Sequence, residues 1–214
     1  MKTTKHKREQ GIQERIREVA TRLFCQKGYG ATSVSEIVEH AGVTKPVLYY
    51  YFGSKAGLFK HIFEQHFGML RDLVTKALQQ PGTSREKILQ LTADQFELCR
   101  KNFDGARLTI STVLGPEKGT PVVHFAELHR THAELFCAIL MEGIQRGEIR
   151  PIRVDEAGLA YIGMVNMFIM RQVSRRQWSL DRGSAERLVE LYFSGIASTG
   201  PAESASHSPQ GARE

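Results

Sequence analysis

The most constraining feature of this sequence is the spacing of its apolar residues, which recur every three or four positions along most of the chain. The first such stripe consists of Ile12, Ile16, Val19, Leu23 and Phe24. This spacing matches the period of an α-helix, whereas the alternation of β-branched residues that is typical of strands is not sustained anywhere. The sequence therefore predicts an all-α protein of about nine helices, separated by glycine, proline and N-capping residues.

Helix start and stop signals divide the chain further. Gly28 is expected to end the first helix, while Ser33 with Glu36 and Thr83 with Glu86 are expected to open the second and fifth helices as capping boxes. The helices are predicted at 7–27, 33–41, 44–51, 54–78, 83–103, 106–114, 122–145, 155–175 and 184–197. We expect a DNA-binding domain at 1–55, a helical effector-binding and dimerisation domain at 56–198, and a disordered tail at 199–214 that lacks large apolar residues.

Composition excludes several classes of protein. Three widely spaced cysteines predict neither a disulfide framework nor a zinc module, and favour a reducing cytoplasm. The basic N-terminus is not followed by the apolar segment of a signal peptide, and the longest apolar stretch, 157–170, is too short to cross a bilayer. We therefore expect a cytoplasmic protein that needs no membrane, metal or cofactor. His129 and His132 could share a helix face, but no third metal ligand lies nearby in the sequence.

Charge is concentrated at the N-terminus. Residues 1–55 hold ten basic and five acidic side chains, so they carry +5 of the net charge of +6. A basic module on a nearly neutral body suggests a polyanion as the partner of that module. A solvated basic face explains the charge equally well, so charge alone does not decide between the two interpretations.

The segment TSVSEIVEHAGVTKPVLYYYFGSK at 32–55 resolves this ambiguity, because it has the form of a helix-turn-helix. Gly42 provides the turn after the first helix, and Leu48 and Phe52 anchor the second helix. The remaining face of the second helix carries Lys45, Pro46, Val47, Tyr49 and Tyr50. Tyrosine hydroxyls, lysines and the first residues of such a helix are the groups that contact phosphates and base edges in the major groove of DNA.

The stretch AGVTKPVLYYYFGSKAGL, with the preceding FCQKGYGATSVSEI, closely resembles the operator-binding signature of the tetracycline-repressor (TetR) family across residues 8–63. The resemblance implies a homodimeric repressor of about nine helices that binds double-stranded DNA and holds a small molecule in its C-terminal region. Pro46 stands where the family more often has glycine, and Tyr51 where it often has histidine. The DNA contacts that the resemblance implies fall on Thr32, Ser33, Thr44, Lys45, Pro46, Val47, Tyr49, Tyr50 and Lys55.

The effector half has no comparable signature. Aromatic and methionine side chains suggest the wall of a site for a mainly apolar or aromatic ligand, with His129, His132, Asn166 and Arg171 as polar anchors, although apolar residues at helical spacing are more often plain core. The candidate ligand residues are Phe96, Cys99, Phe103, Phe125, His129, Phe136, Met164, Met167, Phe168 and Arg171. The candidate dimer residues, on the last two helices, are Leu159, Ile162, Leu188, Leu191, Tyr192 and Ile196.

The favoured function is a ligand-responsive repressor that binds a palindromic operator as a homodimer and is released by a small, mainly apolar molecule. The alternative is a structural or nucleoid-associated DNA-binding protein without an effector. An enzyme is not expected, since the sequence has no G-x-S-x-G motif, P-loop or dinucleotide-binding fingerprint.

Overall fold

The computed structural model describes residues 2–115, 119–175 and 179–194. Within these ranges the chain forms nine α-helices and no strand, which confirms the predicted fold class. The helices are α1 (Lys2–Ala31), α2 (Val34–Ala41), α3 (Lys45–Phe52), α4 (Lys55–Gln79), α5 (Ser84–Lys101), α6 (Phe103–Leu114), α7 (Phe125–Gln145), α8 (Val154–Arg175) and α9 (Arg182–Ser194). Across the same ranges, no helix combines the length and the apolar character that a membrane span requires.

The first helix differs from its prediction. α1 begins earlier than predicted, and its regular helical backbone is interrupted where the first helix was expected to end, at Gly28, which forms a kink with φ 83° and ψ 165°. Glycine is the residue that adopts this backbone conformation readily. The kink is held from the other side of the turn, because the hydroxyl of Thr32 donates a hydrogen bond of 2.8 Å to the carbonyl of Gly28.

The predicted caps form with one difference. Thr83 and Glu86 make a complete capping box at the start of α5. Ser33 caps α2 by accepting a hydrogen bond from the backbone N–H of Glu36, but the Glu36 carboxylate pairs with Lys27 of α1 rather than returning to the cap. The first helix of the helix-turn-helix, α2, is therefore tied to α1 by an ion pair that the sequence pattern did not reveal.

Two hydrophobic cores share α4 and α6. The N-terminal core joins α1, α2 and α3 to the first half of α4, and Leu108 of α6 is buried in it. The C-terminal core joins the end of α4, at Val74 and Ala77, to α5, α7, α8 and α9, and Ala106 of α6 is buried in that one. α4 and α6 therefore connect the two halves of the molecule directly.

Candidate DNA-binding surface and ligand cleft

The outer face of α3 is exposed and carries the predicted DNA-reading residues. Leu48 is fully buried and anchors the helix, whereas Tyr50 is 80% exposed and Tyr49 is 46% exposed. Thr44, Lys45 and Pro46 are also exposed at the start of the helix. Proline in the first turn loses no backbone hydrogen bond, since that N–H has no partner within a helix. This surface presents a cation and phenolic hydroxyls, the groups that suit phosphates and base edges.

The neighbouring tyrosine has a different environment. Tyr51 is partly buried, and its ring lies 5.0 Å from that of Tyr50. Burial raises the pKa of its hydroxyl, and the negative charge of Glu9 on α1 and the nearby Tyr50 add to this effect. The three consecutive tyrosines therefore do not share one environment, as expected for adjacent positions on a helix.

At the start of α2, the structure corrects the role of Thr32. This side chain is only 1% exposed, and its hydroxyl donates to Gly28 within the chain. Its side chain is therefore part of the α1–α2 turn and has no exposed group for a phosphate. Ser33 is exposed, and Val47 of α3 packs partly into the N-terminal core.

The structure also gives Lys55 an internal role. Its ammonium group donates hydrogen bonds of 2.9 Å to the carbonyl oxygens of Tyr29 and Thr32, and it lies 4.1 Å from the centre of the Tyr29 ring. Partial burial lowers the pKa of this lysine. Lys55 thus ties the start of α4 to the α1–α2 turn. Sequence reasoning missed this role because the acceptors are backbone carbonyls, which carry no residue-specific signal.

In the effector half, a narrow apolar cleft lies between α4, α5, α6 and α8. Its deep lobe has a volume of about 60 Å³, and an outer lobe of about 180 Å³ adjoins it. The two lobes share His66, Leu70, Thr109, Ile110 and Asn166. The deep lobe is also lined by Gln95, Leu98, Cys99, Ala106, Tyr161, Ile162, Val165 and Ile169, and the outer lobe by Phe67, Val113, Gly163, Met167 and Met170.

Of the predicted ligand residues, Cys99 and Met167 line this cleft. Phe96 and Phe136 are instead fully buried in the C-terminal core, because their rings stack on Phe168 and Tyr161.

The other predicted ligand residues lie away from the cleft or beyond what the structure describes. Phe103 lines a separate, polar groove against α1, Met164 packs partly buried against the C-terminal core, and Arg171 is exposed. The side chains of Phe125 and His129 lie outside the described residues. Sequence reasoning missed the walls that α4 and α6 contribute, and their only sequence signal was apolar spacing that a core explains equally well.

The deep lobe contains a buried polar cluster. The Tyr161 hydroxyl lies 3.0 Å from the hydroxyl oxygen of Thr92 and donates a bond of 3.2 Å to the amide oxygen of Gln95. All three side chains are buried, and burial raises the pKa of Tyr161 far above its usual range.

The predicted dimer residues separate into two groups. Leu159 is 72% exposed and Leu191 is 45% exposed, so both are available to a partner. Leu188 is fully buried in the C-terminal core, since this face of α9 packs inward, and Ile162 lines the cleft. Tyr192 is partly buried, with its hydroxyl donating to the carbonyl of Ala157. The last of the six, Ile196, lies outside the described residues.

Comparisons with known proteins agree with this architecture. Residues 16–62 match the model of the bacterial regulatory proteins of the tetR family. The chain is 26% identical to the fatty acid metabolism regulator protein of Bacillus subtilis (strain 168) over 195 residues, which cover 90% of this chain and 98% of the relative. That relative is a regulator and not an enzyme.

Two solved structures share the fold. The TetR family transcriptional regulator PfmR from Thermus thermophilus is similar with a TM-score of 0.72 and 25% identity, covering 86% of this chain and 99% of that one. The transcriptional regulator FadR from Bacillus subtilis, in complex with stearoyl-CoA, has a TM-score of 0.74 and 22% identity with the same coverage. The helix-turn-helix with its exposed tyrosines, the nine described helices and these similarities together show a TetR-type DNA-binding domain at residues 16–62, on a fold that the chain shares with bacterial transcriptional regulators of the TetR family.

Proposed function

We propose that this regulator is a cytoplasmic homodimeric repressor that binds a palindromic operator and is released when a mainly apolar small molecule enters the cleft. The observation that carries the proposal is the position of the cleft between the two cores. α4 and α6 line the cleft. The same two helices contribute Phe59 and Leu108 to the N-terminal core, which holds together the DNA-binding unit formed by α1, α2, α3 and the first half of α4. A ligand that displaces either helix acts directly on the position of α3.

The length of α4 supports this coupling. With 25 residues at 1.5 Å per residue, α4 is a rod of about 38 Å. Leu58 at one end belongs to the N-terminal core, and Ala77 at the other end belongs to the C-terminal core. His66 and Leu70, which line the cleft, lie between these anchors. A small tilt near its centre is therefore amplified at the DNA-reading helices.

The small volume of the cleft supports a ligand-driven change in structure. The deep lobe, at about 60 Å³, is far smaller than the roughly 300–1,000 Å³ of a typical ligand pocket. A drug-sized or lipid-sized molecule must therefore separate α4 or α6 from α8 in order to enter. This movement strains the contacts that hold the DNA-binding unit, so ligand binding and DNA binding oppose each other.

The wall chemistry and the relatives favour an acyl chain as the ligand. Leucine, isoleucine, valine and methionine side chains dominate the cleft. Each methylene group buried there contributes about 0.8 kcal/mol. The curated relative regulates fatty acid metabolism, and one structural neighbour was solved with stearoyl-CoA. We therefore assign the ligand to the long-chain acyl compounds, of which an acyl-CoA is the first candidate.

Two titrations test the proposal. Stearoyl-CoA is added to the free protein and to its complex with an operator duplex selected from random sequences, with coenzyme A alone as the control. Linkage requires that a releasing ligand binds the operator complex more weakly, here by about 5- to 150-fold for a typical coupling. Equal affinities in both titrations would exclude this ligand as the switch. Equal binding to all duplexes would instead support the structural DNA-binding protein.

A substitution in the lining of the cleft tests whether the ligand binds there. Ile110→Phe adds bulk where the two lobes of the cleft meet, so it is expected to weaken ligand binding while operator binding in the absence of ligand stays intact. Val122→Phe is the matched control, because Val122 is exposed and lies outside the residues that line the cleft. Unchanged ligand affinity in the Ile110 variant would place the effector elsewhere.

A further inference from the structure

Two buried polar side chains face an otherwise apolar region of the deep lobe. Gln95 is 4% exposed and Tyr161 is fully buried, and both line the lobe beside Leu98, Ala106 and Val165. Burying an amide or a hydroxyl costs free energy unless it is hydrogen-bonded. These groups are bonded to one another and both line the lobe, so its largely apolar wall also offers hydrogen-bonding groups to a ligand.

The hydrogen atoms in this cluster permit two arrangements. The Thr92 hydroxyl donates its hydrogen to the carbonyl oxygen of Ile88, at 2.7 Å. The single hydrogen of the Tyr161 hydroxyl then faces two oxygens, Thr92 Oγ1 at 3.0 Å and Gln95 Oε1 at 3.2 Å. If it is donated to Gln95, the amide oxygen is held; if it is donated to Thr92, the amide can turn and donate its nitrogen hydrogen to Tyr161. Gln95 can therefore present either a donor or an acceptor to a ligand.

The opposite end of the cleft is open. Met167 in the outer lobe is 57% exposed, and Asn166 beside it is exposed as well. A ligand with a bulky polar headgroup keeps that headgroup outside, at this mouth, and inserts the far end of its chain toward Gln95. The inserted end thus meets the polar cluster, not the mouth.

We propose that the deep lobe recognises an oxygen on the inserted end of an otherwise apolar chain, a hydroxyl or carbonyl group. Gln95 is the residue that hydrogen-bonds this oxygen. When the ligand binds, this hydrogen bond replaces a further interaction that Gln95 makes in the ligand-free chain. Tyr161 is a positioning residue that orients the Gln95 amide. This inference rests on the proposed function, since it requires the cleft to be the effector site.

The physical basis is the penalty for an unmatched polar group. A methyl end pushed against Gln95 and Tyr161 displaces their interactions without replacing them, whereas an oxygen restores a hydrogen bond. A site built to hydrogen-bond an oxygen discriminates strongly against the analogue that lacks it. We expect a preference of at least about tenfold for the oxygen-bearing chain, which corresponds to about 1.4 kcal/mol.

Stearoyl-CoA and ω-hydroxystearoyl-CoA form the probe pair, because they differ only at the end that is inserted. Both are titrated into the wild-type full chain and three variants, with thermal unfolding as a check on folding. Gln95→Leu is expected to abolish the preference for the hydroxylated chain. Tyr161→Phe, which keeps the ring stacked on Phe136, is expected to reduce it. Thr112→Val is the control, since Thr112 is a buried threonine that belongs neither to the cluster nor to the lining of the cleft, and its loss should leave the preference intact.

The outcomes separate the two proposals. Equal affinity of wild-type protein for both probes overturns this inference and leaves the proposed function standing. A preference that persists in a folded Gln95→Leu variant overturns the assignment of Gln95. If that variant does not fold, an undiminished preference in Tyr161→Phe overturns the role of the cluster. Binding of neither probe overturns the acyl ligand of the proposed function, and this inference with it.

Discussion

Replacing Lys55 with methionine tests whether this residue holds the DNA-binding unit together or contacts DNA. The change keeps the length and apolar stem of the side chain and removes the ammonium group. Two hydrogen bonds, to the carbonyls of Tyr29 and Thr32 at 2.9 Å, are lost together with the contact to the Tyr29 ring. Of the two acceptors, the Tyr29 carbonyl keeps a long bond of 3.4 Å from the N–H of Thr32.

The magnitude follows from these contacts. A hydrogen bond from a charged group contributes roughly 1.5–3 kcal/mol. Partial burial of the ammonium group lowers the pKa of Lys55, and the cost of this burial offsets part of the stabilisation that the two hydrogen bonds provide. We expect a loss of about 2 kcal/mol in the free energy of unfolding, or about 4–8 °C in Tm for a chain of this size. Operator affinity should fall because the α1–α2 turn loosens.

The assay combines thermal unfolding with operator binding at several salt concentrations. A phosphate contact contributes about 0.9 to the slope of log affinity against log salt. Lys55→Met should lower Tm and leave that slope unchanged. Lys45→Met is the matched control: Lys45 is exposed at the start of α3, so its loss should flatten the slope and leave Tm nearly unchanged. A Lys55 variant with normal Tm and a flattened slope would refute the reasoning and restore the phosphate contact.

Two further predictions concern assembly and stability. Leu159→Lys or Leu191→Lys should convert a homodimer into folded monomers, measured by analytical ultracentrifugation, whereas Leu188→Lys should unfold the chain because Leu188 is buried in the core. A folded Leu188→Lys protein would contradict this packing. The nearly buried Lys87 donates a 2.8 Å hydrogen bond that lowers the pKa of the Glu142 carboxyl below its usual value of 4.5. This stabilisation is present above that value and is lost as pH falls below it. Lys87→Met should therefore lower Tm by several degrees at neutral pH and make Tm fall less steeply as the pH is lowered. If Tm depends on pH in the variant as it does in the wild-type protein, the Lys87–Glu142 pair does not contribute to this stability.

The sequence by itself determined the helices, most of their boundaries and the exposed face of α3. These features depend on local physics. The left-handed turn at Gly42, with φ 61°, the capping box of Thr83 with Glu86, and the inward position of Leu48 all involve residues within a few positions of one another. Helical periodicity and capping act over such distances, so they can be recognised in the sequence.

Tertiary structure decided which way each remaining residue faces. Lys55 binds carbonyls that lie 26 and 23 residues before it, and Leu188 and Leu191, three residues apart on one helix, differ in exposure. An apolar stripe predicts that a helix is buried somewhere, but it does not specify the partner helix. The cleft between α4, α6 and α8 and the cluster around Tyr161 exist only because helices distant in the sequence pack together, and side-chain spacing along one helix carries no record of that packing.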